Sequence, residues 1–382
     1  MMKSVVFCAV GVTACILRRD GCETRCPGKD SEMGHIAYIG HYTDESRIGI
    51  RVVEIGTKSG AAKTLQTVGI GNAIWMAPGA GWKTMYVTCD EGVVAYRIKP
   101  DGTLEEFSRL ALEGLTAPCH ASVSPDGTRL AWAEYRNAAI GLVALASDGS
   151  FVADSLKTVR HEGRGFSSPR QDSAHAHCVA FSPDGKYLFA VDLGLDEVRA
   201  YDSVSLAELP EKKLRVAPGS GPRHLVFHPS GKAAALGFEL GNRVALYRYA
   251  DGEFVETANL PTIPEGFSGF SKNAAVKFSG DGSELYVSNR GHDSLAVFAA
   301  DAAAGTLTLR GILPLGGAFP RDFAFSPGGG MLTACLKKSG TVRMFAYDRG
   351  ACRISPLAEM AGIGSPLFVL YAPCVQNGEN LL

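Results

Sequence analysis

Beyond residue 35 the chain alternates short apolar runs with clusters of Gly, Pro, Asp and Ser. That is the pattern of half-buried β-strands separated by tight turns, and it lacks the 3.6-residue period of an amphipathic helix. Residues 219–239, GSGPRHLVFHPSGKAAALGFE, show the unit: a glycine-rich approach, Arg223 and His224 opening one apolar strand, a Pro-Ser-Gly turn, a second apolar strand, and Glu239 at its end. Such a hairpin brings Arg223 and Glu239, sixteen apart in sequence, to the same end.

The unit recurs. Turn triplets stand at Pro125-Asp126-Gly127, Pro183-Asp184-Gly185, Pro229-Ser230-Gly231, Gly280-Asp281-Gly282 and Pro327-Gly328-Gly329, with 58, 46, 51 and 47 residues between successive third positions. Pro78-Gly79-Ala80-Gly81 lies 46 ahead of Gly127 by its last glycine. A second apolar strand follows each turn, as at 130–133, 187–191 and 285–288, and a third follows that, as at 197–201, 243–247, 294–298 and 341–345. A period of roughly 40–50 residues with several strands per repeat predicts propeller blades, because one small sheet cannot bury both of its faces alone. Six second strands follow the turns, and a seventh, 36–40, has no first strand ahead of it; residues 364–371 have the form of the missing partner. The expected fold is therefore all-β, a seven-bladed β-propeller closed by pairing of the C-terminal strand with the N-terminal blade. It would span 34–375, after an extension at 1–33 and before a tail at 376–382. Insertions at 161–174 and 261–271 are expected to cover one face.

Composition agrees: 46 % hydrophobic, 20 % charged and 45 glycines suit turn-rich, well-buried β structure and exclude a disordered chain. A net charge of -1 gives no general attraction to nucleic acid or to an anionic membrane, so neither is expected as a partner. Of the ten cysteines, Cys8, Cys15, Cys22 and Cys26 crowd the start, and Cys89, Cys119, Cys178, Cys335, Cys352 and Cys374 are scattered without metal-ligand spacing. The apolar run 4–17 has the length of a secretory signal core and is too short to span a membrane. Val12-Thr13-Ala14-Cys15 resembles a lipoprotein cleavage box, Arg18 and Arg19 stand on the wrong side of the run for an ordinary signal, and translation from Met33 is the third reading. Scattered thiols without a disulfide framework favour the cytoplasm, with export as the alternative. The reading favours a monomer.

Aligned on the turns, the residue six before the first turn position is Asn72, Cys119, His177, Arg223, Ala274 and Arg321. The residue eight beyond the third is Tyr135, Leu193, Glu239, Arg290 and Lys337, with Asp90 once the insertion in the first turn is allowed for. Both sets are expected to ring one mouth of the central channel. Charged side chains are seldom buried without partners, and isolated surface arginines form weak ion pairs. Convergence of four cations, one carboxylate and the histidines His175 and His177 on one mouth nonetheless predicts a site for a small anion with a base inside it. There is no G-x-S-x-G nucleophile elbow, and His175, His177 and Glu239 lack a tight ligand set, so neither a metal nor a cofactor is expected.

The segments DSAHAHCVAFSPDGKYLFAVDLGLDEVRAYD, GSGPRHLVFHPSGKAAALGFELGNRVALY, ELYVSNRGHDSLAVF and GIGSPLFV, with HEGRGFSSPRQ ahead of the histidines, resemble the seven-bladed propeller lactonase family over about 36–373. That family includes 6-phosphogluconolactonases and a carboxy-muconate cyclising enzyme. The resemblance implies a catalytic set of His177, Arg223, Glu239 and Arg290, with His175 nearby; His175 and the ring cations Arg321 and Lys337 are the expected substrate-binding residues, the remaining cations holding the phosphate. Ala275, Phe238, Leu336 and Asp322 depart from the family pattern. The implied activity is hydrolysis of a sugar lactone, 6-phosphogluconolactone foremost. The alternatives are muconate cyclisation at the same anion site and a non-catalytic binding propeller. In the hydrolytic reading Arg223 and Arg290 hold the anion, and Glu239 and His177 divide the acid–base work. Flanking arginines should keep Glu239 ionised, and His177, with an ordinary pKa near ~6.5, is the better-matched base.

Overall fold

The computed structural model describes residues 34–43, 46–167, 169–373, 375–376 and 379–380; the extension at 1–33 lies outside them. Seven four-stranded antiparallel sheets follow one another along the chain. Blade 1 comprises Ser365–Tyr371, Gly34–Tyr42, Ile48–Gly56 and Ala62–Gly69 from the inside outward. The inner strands of blades 2 to 7 are Trp75–Pro78, His120–Val123, Ala176–Phe181, Pro222–Phe227, Lys272–Phe278 and Pro320–Phe325. Each inner strand touches the next, and Ser365–Tyr371 touches both Pro320–Phe325 and Trp75–Pro78, so the ring is closed. The closure is antiparallel, pairing Ala37 with Tyr371, Tyr38 with Leu370 and Ile39 with Val369. A two-stranded pair, Val375–Gln376 with Glu379–Asn380, follows.

Successive residues of a strand face opposite ways, and the consequence runs around the ring. Tyr38 joins Met85 and Val87 in the core between blades 1 and 2, while its neighbours Ala37 and Ile39 join Met331, Cys335 and Val342 between blades 7 and 1. Each of the other five blade interfaces has its own apolar cluster built in the same way. Middle strands are therefore apolar on both faces, as in Thr84–Cys89, whose six residues are all buried. The outermost strands pack on one side only and read as polar, Phe151–Arg160 among them. For that reason the sequence yields three strands per blade and the structure four.

The turns close by a repeated device. In blade 3 the Asp126 carboxylate accepts from Ser124 Oγ at 2.5 Å and from the Thr128 amide at 3.1 Å, and Gly127 takes φ 71°. The same bonds recur at Ser182, Asp184 and Lys186 and at Ser279, Asp281 and Ser283. The family departures are absorbed by the core: Ala275, Phe238 and Leu336 are buried in blade interfaces, and buried Asp322 pairs with Lys277 at 2.8 Å while accepting from the Val369 amide.

Candidate active site

The turns lie at one end of the channel and the strand ends carrying the aligned residues at the other, where they enclose a cavity of about 550 Å³. Asn72, Cys119, His177 and Arg321 of the first aligned set and Asp90, Tyr135, Glu239 and Arg290 of the second line it. An aromatic cluster stands on the inner strands outside the lining residues. Trp75 lies 4.0 Å from the His120 ring, 4.6 Å from Phe368 and 5.4 Å from His224 between ring centroids, which fills the channel where the inner strands converge.

Glu239, 2 % exposed, is the centre of the arrangement. Its Oε2 lies 2.7 Å from Arg290 Nη2 and 3.1 Å from Arg223 Nε, the latter an ion pair without hydrogen-bond alignment. Its Oε1 accepts from Arg170 Nη2 at 2.8 Å, and the same nitrogen donates to the Tyr135 hydroxyl at 3.1 Å. Two of the arginines are also tied to the backbone, Arg223 to the Ala274 carbonyl at 2.5 Å and Arg290 to that of Asn273 at 2.6 Å. Burial alone would raise the carboxyl's pKa; Arg290, Arg223, His177 and Arg170 override it and hold the group well below the usual carboxylate range. The expectation that Glu239 is ionised at neutral pH is met.

His177 differs from expectation. Burial, reinforced by Arg223 and opposed by Glu239, pushes its pKa well below the ordinary imidazole value, so the ring is neutral through the physiological range. Strand-end positions alone carry no information on desolvation or on a neighbouring guanidinium, and they point to an ordinary value. Next to it Cys119 donates its thiol to the His177 carbonyl at 3.3 Å, and burial, offset by Arg223 and Arg321, pushes that thiol up to about 12. A thiol so placed is no nucleophile at neutral pH.

Arg223 is 2 % exposed and sits behind the cavity wall, with Nη1 2.9 Å from His224 Nε2. His175 also stands one step back: its ring stacks on Tyr135 at 4.2 Å and its Nδ1 lies 3.0 Å from the Tyr135 carbonyl, so it braces the wall. Lys337 reaches the rim, with its ammonium 4.7 Å over the ring of Tyr42, itself a lining residue. Arg170 escapes the sequence reading because it belongs to the 161–174 insertion, which has no register in the repeat. That insertion is anchored where it begins, since buried His161 lies 2.7 Å from Asp192 and 2.9 Å from the Tyr201 hydroxyl. Glu134 lines the wall as well, but it accepts from Thr116 and from the amides of Arg136 and Asn137 and so shapes the loop. Among the described residues no His, Cys, Asp and Glu cluster of metal-binding geometry occurs.

A family model described as "Lactonase, 7-bladed beta-propeller" matches residues 36–371. A 6-phosphogluconolactonase of Bacillus subtilis is 31 % identical over 345 residues, covering 88 % of this chain and 98 % of its own. Among solved structures, a periplasmic gluconolactonase of Pseudomonas aeruginosa superposes with a TM-score of 0.82 at 30 % identity, over 88 % of this chain and 99 % of its own. A protein from Bacteroides fragilis titled a putative 6-phosphogluconolactonase gives 0.79 at 27 % identity, over 91 % and 100 %.

Proposed function

The chain belongs to the seven-bladed β-propeller lactonase family, and from that premise we propose that it hydrolyses 6-phosphogluconolactone at the channel mouth. Lactone hydrolysis is the activity the family and its relatives support; the substrate and the place of reaction are our reading. The observation that carries it is the Glu239 carboxylate held by Arg170, Arg223 and Arg290 beside a neutral, buried His177.

Ester hydrolysis needs a proton acceptor for water and fixed positive charge where the carbonyl oxygen becomes an oxyanion. Both groups that could accept the proton have lowered pKa values. Glu239 is the poorer base, because accepting a proton would leave three guanidiniums without their counter-charge. His177 takes the proton as water attacks the lactone carbonyl, and the nearby Glu239 carboxylate stabilises the imidazolium. Arg290 and Arg170, which line the cavity, face the oxyanion. Collapse of the tetrahedral adduct breaks the ring C–O bond. The imidazolium returns its proton to the departing alkoxide, leaving the open hydroxy acid and the enzyme unchanged. A weak base suffices because δ-lactones are reactive esters, so most of the acceleration is electrostatic and positional.

Acid release from 6-phosphogluconolactone at constant pH, corrected for spontaneous opening, tests the proposal. A rate indistinguishable from background with both this lactone and glucono-δ-lactone would overturn it. We place the enzyme in the cytoplasm because the described cysteines are free and four of the five are buried, conditions suited to a reducing compartment.

A further inference from the structure

The arginines around the mouth are not equivalent. Arg170, Arg223 and Arg290 each contact Glu239, and each makes a further hydrogen bond to a carbonyl or hydroxyl. Arg321 lines the same cavity, yet among the described residues its guanidinium has neither a carboxylate within ion-pair distance nor a hydrogen-bond acceptor. A guanidinium carries five N–H donors, and a half-buried one ordinarily finds acceptors for them.

Its surroundings add charge of the same sign. Lys337 and Lys338 follow the second strand of the same blade and also have no carboxylate partner among the described residues. Their ammonium groups rest on rings, 4.7 Å over Tyr42 and 4.5 Å over Phe319. Burial and then Arg321, Arg290 and Lys338 lower the Lys337 pKa, the mark of a cation held among cations. Phe319 takes φ 68°, a conformation costly for a bulky residue. The Asp293 carboxylate fixes its amide at 2.7 Å, which places the ring 5.4 Å from Arg290 and directly before Pro320 and Arg321. The Lys337 and Lys338 amides in turn donate to the Phe319 and Ala318 carbonyls, each at 3.1 Å, which ties the two lysines to this turn.

We infer that Arg321, with Lys337 and Lys338, seats the phosphate monoester of the substrate. Three cations with no carboxylate partner among the described residues suit a group carrying about two negative charges better than a single carboxylate, and a planar guanidinium presents paired donors to its oxygens. The inference rests on the lactonase reading and assigns it a division of labour, with chemistry at Glu239 and His177 and phosphate recognition on blade 7. It also moves phosphate holding away from Arg223 and Arg290, whose guanidiniums are ion-paired with Glu239.

The experiment compares kcat/KM for 6-phosphogluconolactone with that for glucono-δ-lactone in the full chain and in Arg321→Ala, Arg321→Lys and Lys337→Gln. The phosphorylated-to-unphosphorylated ratio should fall about tenfold or more in Arg321→Ala, recover in part in Arg321→Lys, and fall about threefold in Lys337→Gln, as expected for lost charge-assisted hydrogen bonds. A wild-type ratio near one, a ratio unchanged by Arg321→Ala, or the same collapse in Arg290→Ala overturns the assignment. If Arg321→Ala does not fold, unchanged ratios in Arg321→Lys and Lys337→Gln overturn it equally. Should the wild type open neither lactone, the lactonase reading fails separately. Inorganic phosphate then decides the anion seat: a phosphate-dependent rise in thermal midpoint that is reduced in Arg321→Lys and Lys337→Gln upholds it, and a rise undiminished in both, or none in wild type, overturns it.

Discussion

At the scale of single residues, the site separates charge from basicity. His177 stays unprotonated until the pH falls well below its ordinary value, and a base is active only above its pKa. The kcat profile should therefore stay level from pH 8 to below 6 instead of falling through ~6.5; a half-fall near 6.5 in a buffered stopped-flow assay would contradict a desolvated His177. Replacing His177 by Ala should lower kcat by ~10²–10⁴ with little change in KM, the usual worth of a positioned base. Glu239→Gln should cost more than activity, since it leaves buried Arg223 and Arg290 without their shared carboxylate. Breaking a buried pair costs about 3–5 kcal/mol, so urea unfolding should show a loss of that order. Repeat spacing makes His177, Glu239, Arg290 and Arg321 legible in the amino-acid sequence, because strand ends are fixed by the turn they precede or follow. Arg170 is not legible in that way, and neither is the set of partners that makes Arg321 differ from the other arginines, because pairing depends on side-chain reach across blades.

At the scale of elements, the turn spacing locates the second strands within two residues, 36–40 lying inside the observed Gly34–Tyr42, while third strands start where expected and run up to three residues further, as in Arg243–Ala250. The outer strands escape it because their residues are exposed or half-buried, as in Phe151–Arg160 and Glu253–Pro261, and so form no apolar run that would mark a strand. Middle strands pack tightly enough to dictate glycines. A Cβ at Gly141 would stand 2.1 Å from Cζ2 of Trp132, which is fully buried between blades 2 and 3. Gly141→Ala should thus destabilise by ~1–3 kcal/mol through overpacking, readable as a lowered urea midpoint with an unchanged m-value. The closing strand is the other vulnerable element. Without residues 364–382, Gly34–Tyr42 loses its partner Ser365–Tyr371 and presents an open edge. Size-exclusion chromatography of that truncation should find aggregate or unfolded chain; a monomer that melts cooperatively would mean that the ring does not depend on this closure.

At the scale of the whole molecule, the propeller converges seven inner strands on one channel and fills it with groups that incur a desolvation penalty when charged. Burial lowers the pKa of His120 to about 3, and burial together with Arg223 lowers His177 and His224 well below the ordinary value. The sign of the consequence follows from where protons bind. Below ~6.5 the unfolded chain takes up protons that the native channel refuses, so stability is complete above that pH and is lost as pH falls from there toward the folded values. Glu239 acts in a different window. Its pKa is depressed despite burial because the arginines outweigh desolvation, so its contribution holds above the ordinary carboxylate range and is lost only below it. Acid weakening between pH 6.5 and 5 therefore belongs to the channel histidines. Each contributes a slope of up to about 1.4 kcal/mol per pH unit, the equivalent of one proton. His120→Gln, which keeps a polar side chain at that position but cannot titrate, should flatten the pH dependence of unfolding by up to that amount per unit while leaving the Glu239 window unchanged. A variant whose stability falls with pH as steeply as the wild type would show that His120 is protonated in the native channel, and that the channel there is wetter than its burial implies.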